Sequence, residues 1–302
     1  MDMNLTRLRY FSTVARMGNF RRAAEILHVA QPALSRHVQL LEDDMGVQLL
    51  TRTSRGVSLT EAGQVLMEGS ENLVRMSTDL KDEVRARTSV PRGTVRIGAL
   101  PSIAQMLVPP VIALARARYP ELRFGLTHGY TGDLREMLLA DKLDLAILTE
   151  FTKHPDLVIE PLYQEDLWLV EQPGGKRRKR SVKAAALAGL PLMLPHYLRI
   201  DLERLVPAED LNVVVELEAA MPMVDLITSG VVAYFGPPLV MWDEINTGRL
   251  TGVPVQGFRL ARALARRKSR PATTATLTFA QLLGEYATGA SFTRGLPFMH
   301  LA

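Results

Sequence analysis

Residues 31–42 read QPALSRHVQLLE, and two different chemistries share this one short segment. Leu34, Val38 and Leu41 recur at i, i+4 and i+7, which is one buried face of a helix. Pro32, Ser35, Arg36 and Gln39 recur at i, i+3, i+4 and i+7 on the other face. An outer face built only for solubility carries Glu and Lys. Gln, Ser and Arg instead hydrogen-bond base edges and phosphates. The stripe therefore predicts double-stranded DNA as a partner, met by Gln31, Pro32, Ser35, Arg36 and Gln39.

No catalytic constellation is found. His28, His37, His128, His154, His196 and His300 show no paired metal spacing with carboxylates, and no phosphate-binding loop, GxSxG or HExxH motif is present. The chain has no cysteine, which excludes disulfides, thiolate zinc sites, cysteine nucleophiles and cysteine redox sensing. The expectation is a non-enzyme with no cofactor and no bound metal.

Other elements must hold the stripe in place. Leu5, Leu8, Phe11 and Ala15, with Val14 beside them, give a first amphipathic helix that stops at Gly18. Asn19 caps a second helix, whose face is Phe20, Ala23, Ala24 and Leu27; the two small alanines allow a close helix crossing. A tight turn leads to the third helix, with Pro32 in its first turn. This is a helix-turn-helix. Leu49 to Arg52 and Val57 to Leu59 then read as a hairpin around Ser54-Arg55-Gly56. Arg52 and Arg55 at its tip either enter a minor groove or contact phosphate, or are solvated loop arginines.

These sixty residues resemble the DNA-binding domain of LysR-type transcriptional regulators. The resemblance is carried by Phe11, Val14-Ala15, Phe20, Ala23-Ala24, Leu27, the run Gln31 to Arg36, Leu41-Glu42, Gly46, Arg52 and Leu59-Thr60-Glu61-Ala62-Gly63. Leu50 departs from the family's usual aromatic residue, a packing change.

After a Thr60 cap, Ala62, Leu66, Gly69, Leu73, Met76 and Leu80 step by fours and threes. This heptad seam packs either on a second copy of the chain or on the chain's own next domain. The resemblance implies the former: a homodimer through the linker helix, with Leu66, Leu73, Met76 and Leu80 in the seam, and a homotetramer beyond it. RNA polymerase is a further candidate partner. "RTSVPRG", from Arg87 to Gly93, reads as a hinge.

The remaining residues alternate strand and helix, which predicts a mostly parallel sheet with helices on both faces. The strands are "TVRIGAL", "LRFGLTHG", "LDLAILTEF", "LPLMLP", "NVVVELEA" and "VVAYFGPP"; a helix bent at Pro109-Pro110 follows the first. Crossing segments near "EPLYQEDLWLV" and "GFRLARAL" would join two lobes around a cleft. Ligands of open parallel sheets bind beyond the carboxyl ends of the strands. That places candidate contacts to a small effector at Pro101, Ser102, Ile103, Tyr130, Thr131, Thr149, Pro195, His196, Phe235 and Pro237, with Glu150 and Phe151 in the same loops. Ser102 is either an anion contact or an ordinary helix cap; Arg199 either pairs an anionic effector or is a surface arginine. The resemblance to LysR-type regulators covers this half as well and implies their periplasmic-binding-protein-like effector domain, with the Pro101-Ser102-Ile103 loop lining the pocket.

The expected fold is thus α/β overall. A winged helix-turn-helix, mainly α, occupies residues 1–60 and a linker helix 61–88. A two-lobed effector domain fills 89–302, with lobe I about 93–163 and 266–302 and lobe II about 164–265. The expected function is a sequence-specific DNA-binding transcriptional regulator answering to a small anionic effector. A solute-binding protein and an α/β-cleft enzyme are the other classes weighed; the N-terminal half argues against the first and the missing acid/base or metal set against the second. At 302 residues, 47% hydrophobic and 23% charged, the chain reads as folded, multidomain and cytoplasmic, without a signal peptide or membrane span. Its net charge of +4 leans toward anionic partners. Two basic runs, Gly174 to Arg180 and Ala265 to Pro271, either contact DNA flanks or acidic neighbours, or form a solvated loop and an edge strand.

Overall fold

The structure is a computed structural model that describes residues 4–53, 56–86, 90–149, 154–174, 180–217, 223–289, 292 and 296–301. Contacts divide the chain into two units, Met1–Thr88 and Ser89–Ala302.

The first unit opens with α1 (Leu5–Met17), α2 (Phe20–Leu27) and α3 (Gln31–Met45). Asn4 and Asn19 cap the first two, each side chain accepting from two backbone amides of the following turn. Gly18 and Gly46 end α1 and α3 in the left-handed conformation that glycine adopts without steric penalty. Leu8, Phe11, Val14, Ala23, Leu34, Val38 and Leu41 form the core, none more than 2% exposed. Leu5, counted on the buried face of α1 from its spacing, is instead 43% exposed. The hairpin is β1 (Leu50–Thr53) with β2 (Gly56–Leu59), paired Leu50 to Leu59 and Thr53 to Gly56. Its register runs one residue further than the sequence pattern implies, because Gly56, at φ +133°, belongs to the ladder rather than to the turn. Glu42 fixes the approach: its carboxylate accepts from the amides of Leu49 at 2.8 Å and Leu50 at 3.1 Å.

Thr60 then caps α4 (Glu61–Ala86), accepting from the Gly63 amide at 3.0 Å. Gly63 is buried, and a Cβ there would stand 2.0 Å from the Leu49 carbonyl oxygen. The contact is to backbone, which cannot swing aside. Gly63→Ala is therefore expected to cost about 1–3 kcal/mol, read by chemical denaturation of the full chain.

The second unit is built on one sheet of mixed direction. β3 (Gly93–Ala99), β4 (Leu122–His128) and β5 (Leu145–Thr149) are parallel on one side; β7 (Pro191–Pro195), β8 (Asn212–Leu217) and β9 (Ala233–Gly236) are parallel on the other. Between them run two long antiparallel strands, β6 (Leu157–Glu171) and β10 (Thr251–Arg267). These are the expected crossing segments. The sheet is consequently parallel only within each lobe, a correction to the mostly parallel expectation. Strand alternation sends Leu145 and Ile147 to one core and Ala146 and Leu148 to the opposite one, so both faces are covered. In the second lobe Met193 and Leu192 divide in the same way.

Helices complete the layers. α5 (Pro101–Met106) and α6 (Val108–Arg118) break at Leu107, so the two prolines fall in the first turn of α6, where no amide donor is needed. α7 (Thr131–Leu139) packs on β5, and α8 (Arg199–Glu203), α9 (Val224–Thr228) and α10 (Trp242–Asn246) are short. α11 (Thr274–Thr288) lies against α6 and β3. β11 (Met299–Leu301) adds to β6 at Tyr163 to Glu165, on the stretch between the lobes. The basic run ending at Pro271 is no edge strand: Arg266 and Arg267 close the interior strand β10. Arg267 pairs with Asp141, and Arg270 reaches Asp144 at 3.2 Å. Among the described residues no helix is long and apolar enough to cross a membrane.

Candidate functional site

Two surfaces bring together the residues singled out above. On α3 the apolar face is sealed, while Gln31, Pro32, Arg36 and Gln39 are exposed and Ser35 is half-buried. Gln39 donates to Asp43 at 3.0 Å, one turn along, which holds its amide on the outer face. The Tyr10 and His37 rings meet edge to face at 5.2 Å and lock α3 against α1. The hairpin is held to the α1–α2 turn by backbone: Val57 donates to the Gly18 carbonyl at 2.8 Å. A Cβ on Gly56 would lie 2.5 Å from that same oxygen, so only glycine allows the approach. Arg52 lies in β1, while Arg55 lies outside the described residues.

The second surface is a cavity of about 290 Å³ between the lobes, lined by Leu100, Tyr130, Thr131, Gly132, Thr149, His196 and Tyr197. Four of these, Tyr130, Thr131, Thr149 and His196, come from the strand ends named from the sequence. Tyr130 and His196 meet edge to face at 6.3 Å, and His196 and Tyr197 at 5.9 Å, giving one aromatic wall. Thr131 opens α7, which has no side-chain cap, and its hydroxyl accepts from the Thr149 amide at 3.1 Å.

The other sequence candidates fall elsewhere. Ile103 and Phe235 are fully buried core residues, Phe235 packing on Phe258 at 5.0 Å; the turn of α5 and the pleat of β9 point them inward. Ser102 is 3% exposed in the first turn of α5, and neither it nor Pro101, Pro195 or Pro237 is among the lining residues. Arg199 is a surface residue bound to Glu203 at 2.8 Å and Glu216 at 3.0 Å, the second of the two readings open for it, and it does not line this cavity. Both carboxylates hold its pKa above the usual arginine range. Glu150 and Phe151 lie outside the described residues, as does most of the basic run before Ser181.

Sequence reasoning missed Leu100, Gly132 and Tyr197, and it missed the polar group behind the cavity. Arg262 on β10 and Glu165 on β6 form an ion pair with side chains 1% and 0% exposed, Nε to Oε1 at 2.6 Å. Arg262 also donates through Nη1 to Thr149 Oγ1. Burial is the largest influence and works against the Arg262 charge, but Glu165, Tyr163 and Tyr197 together outweigh it and keep its pKa raised. Tyr163 is pushed up, first by burial and then by the Glu165 carboxylate, and stays a neutral phenol. The signal was present: Phe258, Leu260 and Leu264 alternate inward with Arg262 among them, as Leu167 and Leu169 do with Glu165. Among the described residues no group of three or more His, Asp or Glu stands close enough to hold a metal ion.

Residues 5–64 match the family model for bacterial regulatory helix-turn-helix proteins of the lysR family, and residues 88–288 match that for the LysR substrate binding domain. The chain belongs to the LysR family. Among particular relatives, it is 39% identical over 197 residues to the nitrogen assimilation regulatory protein nac of Klebsiella aerogenes, covering 64% of this chain and 63% of that one. The nac protein of Escherichia coli (strain K12) is 33% identical over 237 residues, 76% of each chain. The DNA-binding transcriptional dual regulator OxyR of the same strain is 33% identical over 195 residues, 64% of this chain and 63% of that one. The match thus spans less than two thirds of two of these three relatives. A full-length OxyR variant from Pseudomonas aeruginosa superposes with TM-score 0.68 at 23% identity, covering 98% of both chains. CbnR, a LysR family transcriptional regulator, superposes with TM-score 0.67 at 24% identity, covering 95% of this chain and all of that one. At these identities the two structures speak to the fold.

Proposed function

We propose that this protein is a sequence-specific DNA-binding transcriptional regulator, without enzymatic activity, that answers to a small anionic effector held between the lobes. The observation that carries this reading is the split character of α3: Leu34, Val38 and Leu41 buried, and Gln31, Arg36 and Gln39 exposed on the opposite side. Ser35 and the two wing arginines, Arg52 and Arg55, complete the proposed contacts to the duplex. The uncapped start of α7 and the hydroxyl of Thr149 favour an effector with negative charge, because a helix N-terminus presents free amides and a positive dipole end. The working unit is a homodimer joined through Leu73, Met76 and Leu80 of α4, assembling further to a homotetramer that meets RNA polymerase in the cytoplasm. Effector binding would rotate the lobes about β6 and β10 and change the spacing between bound half-sites.

Relatives described as regulators support this reading, as do the two family matches in one chain. Selection of bound duplexes from a random pool by the full chain tests it. A recovered motif with two related half-sites about one helical turn apart is expected; recovery of unrelated sequences at equal affinity overturns it.

A further inference from the structure

Thr149 is the most deeply set polar side chain of the cavity, 7% exposed, and its neighbours decide what its hydroxyl does. Arg262 stands opposite Thr149 in the β10–β5 register and donates to Thr149 Oγ1. A guanidinium carries five N–H donors and no acceptor. Thr149 oxygen must accept there, which occupies one of its two lone pairs and leaves one lone pair and a hydroxyl hydrogen that still needs an acceptor. Thr131 is different: its hydroxyl hydrogen goes to the Thr149 carbonyl at 3.3 Å. Arg262 has no room to turn away, since it is 1% exposed with Nε on Glu165 at 2.6 Å.

We propose that Arg262 is a positioning residue that fixes the Thr149 hydroxyl as a hydrogen-bond donor into the cavity. The cavity then selects effectors that present an acceptor oxygen, a carboxylate or carbonyl, at this point. It rejects those presenting a donor-only group such as an ammonium, which leaves the hydroxyl hydrogen unanswered. A site built to hydrogen-bond one group discriminates strongly against a ligand that cannot return the bond. This inference rests on the interlobe cavity being the effector site.

Benzoate and benzylammonium share ring and size and differ in the polar end, so they serve as probes. Titration calorimetry on the full chain is expected to show benzoate bound at least about tenfold more tightly. Background charge also separates these ions, so the readout is the change in their affinity ratio between variants. Thr149→Val and the double variant R262M/E165L should each collapse the ratio severalfold, while Thr149→Ser preserves it. A ratio unmoved in Thr149→Val overturns the donor assignment; one unmoved in the double variant overturns the role of Arg262. Failure of both probes to bind at millimolar concentration also counts against the proposal. Gly132→Phe separates this from the underlying reading: Gly132 lines the cavity with nothing within 4 Å of a Cβ. Benzoate binding lost in Gly132→Phe places the probe between the lobes, whereas binding that survives it sinks the interlobe site itself.

Discussion

Arg262→Met alone is expected to lower the stability of the C-terminal unit by about 3–5 kcal/mol, because it strands the Glu165 carboxylate in an apolar interior. In a unit of this size that is a fall in melting midpoint on the order of ten degrees. Glu165 is fully buried on β6 at the passage between the lobes, with Leu260 directly across the strand pair. Nothing there replaces the guanidinium. The double variant R262M/E165L removes both charges at nearly constant volume and should recover most of the loss, since buried ion pairs exchanged for apolar groups are often neutral or better. Arg199→Ala, which breaks exposed pairs with Glu203 and Glu216, should hardly move the midpoint. Thermal denaturation of the three variants checks the series. A single Arg262→Met variant that melts with the wild type would mean that water reaches the pair.

The second large effect concerns α4. Leu73, Met76 and Leu80 are 42%, 52% and 65% exposed in the single chain, and Val65 and Val84 extend the stripe at 74% and 61%. Ala62 and Leu66, at the start of the same heptad seam, instead pack on the N-terminal core. The first turn of the seam thus finishes the N-terminal core, while Leu73, Met76 and Leu80 further along stay exposed among the described residues. Leu73→Glu combined with Leu80→Glu places charge in the centre of that stripe. The expected result is a monomer by sedimentation, with operator affinity reduced at least about a hundredfold, because two linked half-site contacts gain roughly 10²–10⁴ over one. Leu66→Glu should instead unfold the N-terminal unit. A doubly substituted chain that sediments as the wild type rules out this seam as the dimer contact.

The parts legible in the sequence were those fixed by local periodicity and by end signals. Leu34, Val38 and Leu41 with Pro32 and Gly46 bound α3 on their own, and the four-three steps of α4 survive as a helix of 26 residues. Strand direction was not legible. β6 and β10 carry the same apolar alternation as a parallel strand, and nothing in 15 or 17 residues states which way the neighbour runs. At the cavity, position along the chain was readable and side-chain direction was not. Strand ends brought Tyr130, Thr131, Thr149 and His196 to one cavity, but Ile103 and Phe235 sit one face away, in the core. For Arg199 the surface reading was open from the sequence, but its partner Glu216, 17 residues distant on β8, was not legible. Arg262 and Glu165 stood out only as charges in apolar alternation, and 97 residues separate them.

The exposed side of α3 is the surface on which the functional account depends, and Arg36 is its test. The full chain and Arg36→Ala should be titrated against a duplex selected by the protein and against a scrambled duplex of equal length and composition, at one salt concentration. The account predicts a loss of about 1–3 kcal/mol on the selected duplex and little change on the scrambled one. An equal loss on both duplexes would reassign Arg36 to the phosphate backbone, and no loss on either would contradict base reading by this helix.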